Sequence, residues 1–105
     1  MGASPSLSRE ALADLRRELK KSREVFGPAA ARRMGARLAR SLNAIATGTA
    51  LGHRHSLLHG APVDFMCVTV APLLIIYNAR TRSVLTIVDG RRDIAAVVAE
   101  RLSQT

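Results

Sequence analysis

At 105 residues, 48% of them apolar and 23% charged, the chain can bury the core of one small domain and not of two. Lys and Arg number 16 against 8 Asp and Glu, and a formal net charge of +8 on so short a chain points to an anionic partner: nucleic acid, an acidic protein segment or a membrane surface. One cysteine excludes an internal disulfide and the usual zinc frameworks, and Phe26, Phe65 and Tyr77 without any Trp exclude an aromatic base-stacking platform.

The charge is uneven. Residues 1–46 carry ten cations against four acids, while residues 47–105 carry six arginines against four acids. Residues 1–6 lack the basic region and apolar run of a secretory signal. The longest apolar stretch, residues 65–77, is too short to span a bilayer and contains Pro72. The expectation is a cytoplasmic protein with no membrane partner.

A first helix should begin near Ser8, which can cap it, with Glu10 in the first turn and Leu12, Leu15, Leu19 and Phe26 on one face. Gly27-Pro28 stops this helix and starts the next, whose apolar stripe is Ala31, Met34, Leu38, Leu42 and Ile45, and which ends at Thr47-Gly48. So short a connection folds the two helices into an antiparallel hairpin. Residues 48–62, with Gly48, Gly52, Gly60 and Pro62, read as a loop. Strands are expected over 63–70, 73–79 and 83–89, joined by short connections that make neighbours antiparallel. Ile94, Val97, Val98 and Leu102 then form a short closing helix. The fold class is α+β: an N-terminal antiparallel helical hairpin on a three- to four-stranded antiparallel sheet, with a short C-terminal helix, over one domain of residues 1–105.

Few residues carry recognisable chemistry. His53, His55 and His59 lie in the glycine-rich loop with no Cys or Glu nearby to complete a metal set, so no metal and no cofactor are expected. Cys67, mid-strand, reads as a buried core residue. Arg9, Arg16, Lys20 and Arg23 flank the first helix and Arg33, Arg37 and Arg40 the second, as on a solvated face. Arg80 and Arg82 in a hairpin turn, and Arg91 and Arg92 after the last strand, are held by strands and are the better candidates for phosphate or carboxylate contacts.

The order of elements and three local stretches resemble the RelE/ParE toxins of type II toxin–antitoxin modules. The stretches are Leu7-Ser8-Arg9-Glu10-Ala11-Leu12-Ala13-Asp14-Leu15, then Phe26-Gly27-Pro28-Ala29-Ala30-Ala31, and then Leu74-Ile75-Ile76-Tyr77 followed by Val84-Leu85-Thr86-Ile87-Val88-Asp89-Gly90-Arg91-Arg92-Asp93-Ile94. Three features depart from the family pattern. Residues 1–7 form a weak first strand or a disordered tail, Asp89 stands where a His is usual, and Asp64 lies near a common arginine position.

The resemblance implies a growth-inhibiting toxin of the plasmid-stabilisation type, neutralised by a cognate antitoxin with which it forms a hetero-oligomer. RelE-like members cut mRNA on the ribosome, many with a C-terminal Tyr or His, and residues 95–105 hold no Tyr, His or Lys. Arginine is a poor proton-exchanging group. The chain is therefore more similar to ParE, which inhibits DNA gyrase by binding it. Target-binding residues would be Arg80, Arg82, Arg91 and Arg92, and antitoxin-binding residues Leu12, Leu15, Leu19, Met34 and Leu38. The alternatives are a ribosome-dependent mRNA endonuclease using Arg54, Arg80, Arg91 and Arg92, and a non-toxic relic or basic binding module.

Overall fold

The computed structural model describes residues 6–58 and 60–104. Helix α1 spans Arg9–Phe26, and the Ser8 hydroxyl accepts a hydrogen bond from the Ala11 amide at 3.1 Å. That bond satisfies one of the amides a helix start leaves open. Gly27 ends α1 at φ 95°, a conformation that side-chain-bearing residues rarely adopt, and Pro28 opens α2 (Pro28–Thr47). Gly48, at φ 79°, closes α2 with its amide directed at the Ala44 and Ile45 carbonyls. The expected helical hairpin is therefore present, with its expected bounds.

Four strands follow the order β1-β4-β3-β2, with β1 at Ser6–Leu7, β2 at Phe65–Val70, β3 at Leu73–Asn78 and β4 at Ser83–Asp89. Strands β2, β3 and β4 are an antiparallel meander, as expected. The weak first strand exists as a two-residue pairing and runs parallel to β4, so the sheet is mixed where an antiparallel one was expected. The chain returns to β4 only after the whole hairpin and two strands, and that long crossover permits a parallel neighbour. Residues 1–5 of that predicted segment lie outside the described residues. Val63 and Asp64 lie in a turn, so β2 starts two residues later than the sequence suggested. Strand β3 stops at Asn78 because its side-chain oxygen accepts the Arg80 and Thr81 amides at 2.9 and 3.0 Å.

Both faces of the sheet are covered. Leu73, Ile75 and Tyr77 point to the hairpin, where they meet Leu38, Leu42 and Ile45. Leu74 and Ile76 point to the opposite face and pack with Cys67, Leu58 and the helix α3 (Ile94–Ser103). This explains the unbroken apolar run of β3, since a strand buried on both faces needs no alternation. The register of β3 and β4 shifts between Ile76 and Tyr77, leaving Leu85 as an extra residue on β4.

The inner surface of α1 differs from its predicted stripe. Its buried positions are Ala11, Asp14 and Glu18, while Leu15 and Leu19 pack from the side and Phe26 is 74% exposed. An acid at a core position requires donors, and Asp14 has three. It accepts from the Thr86 hydroxyl at 2.8 Å, from Arg101 on α3 at 2.8 Å, and from Arg17 at 2.7 Å. Arg101 also donates to the Leu85 carbonyl at 3.1 Å. Beyond Val84, β4 has no pairing to β1, and this cluster ties α1 to α3 around that side of β4.

Candidate functional site

The candidate arginines fall into two separated groups. Arg80 and Arg82 lie in the β3–β4 turn, and Arg91 and Arg92 follow β4 at its other end. Seven strand residues intervene, a span of roughly 20 Å at about 3.3 Å per residue. The fold therefore does not bring the four target-binding candidates into one site.

Each arginine is also placed differently. Arg80 reaches the Asp64 carboxylate at 3.4 Å. Arg82 sits at φ 60°, donates to the Ala46 carbonyl at 3.3 Å and lies against Gly48, where any Cβ would crowd its guanidinium. Arg91 grips Asp89 through Nε at 3.0 Å and Nη2 at 2.8 Å, while its own amide donates to the same carboxylate at 2.8 Å. That grip holds the Asp89 carboxyl down at about 2. The acid that stands in place of the expected His thus fixes the orientation of the Arg91 guanidinium. Arg92 is exposed at the mouth of a polar cleft shared with Arg17, Arg101 and Glu100.

Arg54, the further residue of the ribonuclease alternative, is occupied. Its guanidinium donates to four carbonyls, those of Leu58, Ala61, Pro62 and Phe65, at 2.6–2.8 Å. Only one of its five N–H donors is not engaged in these bonds. Together with a backbone pair between His53 and Cys67 at 2.8 and 2.9 Å, it ties residues 53–58 and 60–64 to β2, so the predicted loop is partly ordered by long-range bonds. His53 and His55 hold tilted rings 6.4 Å apart, and His59 lies outside the described residues. Among the described residues no three His, Cys, Asp or Glu side chains are grouped as a metal set.

Cys67 is buried and its thiol is pushed up to about 11 by desolvation. Burial also raises the Tyr77 phenol, reinforced by Cys67, and the Gly52 backbone beside the hydroxyl opposes that rise. Gly52 has no room for a side chain, since a Cβ there would overlap the Tyr77 hydroxyl.

Of the antitoxin-binding candidates, Leu15, Leu19 and Met34 are partly buried and Leu12 is exposed, so all four present surface. Leu38 is 1% exposed and belongs to the core. The leucine stripe identified it correctly as an inward residue, but no partner can reach it in this fold.

One concave surface joins members of both candidate sets. A groove of about 480 Å³ lies between the tip of the hairpin and the end of the sheet. Val25, Phe26, Ala30, Met34, Pro72 and Leu73 form its apolar lining, with Lys21, Arg33, Arg37 and Arg91 around them. The sequence placed Phe26 on the apolar stripe of α1 with Leu12, Leu15 and Leu19; in the fold it and Val25 stand exposed on the margin of this groove.

A family model described as the ParE toxin of the type II toxin–antitoxin system, parDE, matches residues 6–94. The chain belongs to the ParE toxin family. No curated protein matches it. As a ParE-family member it is the toxin component of a type II toxin–antitoxin system, a class that has an antitoxin partner. The hairpin, the meander and the C-terminal helix are consistent with a ParE toxin, and the match begins at the two residues of β1. Among the described residues, no helix is long and apolar enough to cross a membrane.

Proposed function

We propose that this ParE-family toxin inhibits bacterial growth by binding DNA gyrase, and that a cognate antitoxin neutralises it by covering Leu12, Leu15, Leu19 and Met34 on the hairpin. The observation that carries the binding reading is the division of the arginines. A ribonuclease must gather several cations on one scissile phosphate beside a proton-exchanging group. Here Arg80 lies at one end of β4, Arg91 and Arg92 at the other, and the Arg54 guanidinium is bound to backbone carbonyls. A binding surface makes no such demand and can use exposed cations wherever they stand.

The test is induction in a bacterial host, with primer extension on transcripts beside a supercoiling assay on purified gyrase. Gyrase inhibition with intact transcripts is expected, weakened by Arg91→Ala and Arg92→Ala and by raised salt. Codon-phased mRNA cleavage with normal supercoiling overturns the proposal. Co-expression with the product of an adjacent antitoxin gene should restore growth and raise the yield of soluble toxin.

A further inference from the structure

The solvent face of the hairpin carries a charge pattern that a merely solvated surface does not require. Arg16, Lys20 and Arg23 lie on the side of α1 opposite its buried positions, Ala11, Asp14 and Glu18. With Arg32 of α2 they line a shallow cavity of about 440 Å³, whose other residues are Leu19, Pro28 and Ala31. On sequence the cations of each helix fall on that helix's own flank; in the fold one from α2 shares a cavity with three from α1. No acid lines the cavity, and α2 carries four arginines and no acid along its whole length. Lys20 stands 4.0 Å from Glu24, an exposed contact worth little in water. Among the described residues no acid pairs with Arg16, Arg23 or Arg32, whereas Arg17, Arg80, Arg91 and Arg101 each hold a carboxylate of the chain itself. Unpaired cations gathered on one surface repel one another, a cost that mixing both signs avoids. An anion seated among them removes that repulsion.

We propose that this face docks the phosphate backbone of a nucleic-acid duplex, with one phosphate in the cavity among Arg16, Lys20, Arg23 and Arg32 and the strand continuing along α1 past Arg9. Arg9, Arg16 and Arg23 recur every seven residues, a row roughly 20 Å long at about 1.5 Å of rise per residue. One strand of a duplex carries a charge about every 3.4 Å of axis, so the row faces about six phosphates. A double helix is stiff and presents them already in line, whereas a flexible acidic segment must first be ordered. Arginine forks also suit phosphate oxygens, which they can bind two at a time. No aromatic side chain lines the cavity, so the bases of a single strand find no platform. An acidic protein segment needs large apolar contacts as anchors, and among the lining residues Leu19 is the one large aliphatic side chain and is half-buried. Contacts of this kind read charge and position, not base sequence. The inference concerns duplex bound without gyrase and does not rest on the gyrase reading, so either can fail while the other stands.

The experiment is fluorescence polarisation of a labelled DNA duplex of about 16 bp with the purified full-length protein, between about 50 and 200 mM NaCl. Four cations meeting phosphates should give a log–log salt slope of about −3.6. Arg16→Gln, Arg23→Gln and Arg32→Gln should each make that slope shallower by about 1. Arg23→Gln combined with Arg32→Gln should weaken binding about tenfold or more. Lys21→Gln combined with Arg37→Gln removes the same charge from the groove side of the hairpin and should cost less than about twofold, by screening alone. These side chains are all exposed, so the variants should melt like the parent. If Arg32→Gln does not, Arg16→Gln takes its place in the pair. Equal losses in the two pairs overturn the proposal, as does a parent slope shallower than about −2. So does displacement of the duplex by a single strand or by poly-glutamate of equal charge at a lower concentration than unlabelled duplex needs.

Discussion

Replacing Asp14 by Asn keeps the shape of the side chain and removes its charge. In the native protein that carboxylate is 2% exposed and faces Arg101, whose side chain is 18% exposed. Burial pushes the Asp14 carboxyl up, but hydrogen bonds from Arg101, Arg17 and Thr86 outweigh it and hold it below the ordinary carboxylate value of 3.8. Breaking a buried pair by removing one partner costs about 3–5 kcal/mol, because the remaining charge is left uncompensated. Arg101 retains its bond to the Leu85 carbonyl and some solvent, which places Asp14→Asn near the lower end, at about 3 kcal/mol. For a domain of this size that is a fall in Tm of roughly 12 °C or more. Arg17, 57% exposed, should contribute less than about 1 kcal/mol although its distance to Asp14 is as short.

Thermal and urea unfolding followed by circular dichroism on Asp14→Asn, Arg101→Gln, the double variant and Arg17→Ala completes the cycle. The pH dependence follows from the sign of the shift. A carboxyl with a lowered folded-state pKa stabilises the protein fully above the unfolded value, and that contribution disappears as pH falls below about 3.8. Asp14→Asn should therefore lose part of the parent's acid sensitivity. Additive costs for Asp14→Asn and Arg101→Gln, or a cost for Arg17→Ala equal to that for Arg101→Gln, would refute the account of a buried link between α1 and α3.

Gly52→Ala should destabilise the protein by about 1–3 kcal/mol through overlap with the Tyr77 hydroxyl, and Tyr77→Phe in the same chain should recover part of that loss in urea unfolding. Arg54→Lys replaces a planar fork by an ammonium with three donors; limited proteolysis should then cut residues 53–64 faster, and unchanged cleavage would show that the four carbonyl bonds do not hold the segment. With a thiol at about 11 and no exposure, Cys67 should resist iodoacetamide at pH 7.5 in the folded protein and react at once in denaturant, which mass spectrometry would detect. Asp89→Asn should free Arg91 from its bidentate grip and raise growth inhibition if Arg91 meets an acidic target; equal or lower toxicity on induction would remove Arg91 from the target surface.

Local chemistry wrote the helical hairpin and β4 into the sequence. Ser8, Gly27-Pro28 and Thr47-Gly48 act on backbone groups within a few residues of themselves, so the helix bounds could be read without knowing the fold. The strand-favouring run 84–88 of Val, Leu, Thr and Ile, ending at Asp89-Gly90, marked β4 in the same way. Arg91 and Arg92 were found as exposed cations because turn residues after a strand are exposed in almost any fold. The parallel pairing of β1, the second core under α3 and the inward face of α1 were settled elsewhere. Asp14 is acceptable in the core only because Thr86 and Arg101 stand 72 and 87 residues further along the chain, and no window of sequence around Asp14 contains them. Arg54 looked like a free cation for the same reason, since the carbonyls of Leu58, Ala61, Pro62 and Phe65 converge on it only in the folded chain. The groove is a still more distant product, joining the end of α1, the start of α2, the Pro72 turn and the end of β4. Periodicity identifies a side chain's face on its own element; which faces then meet, and which cations end up on one rim, depends on how the elements pack.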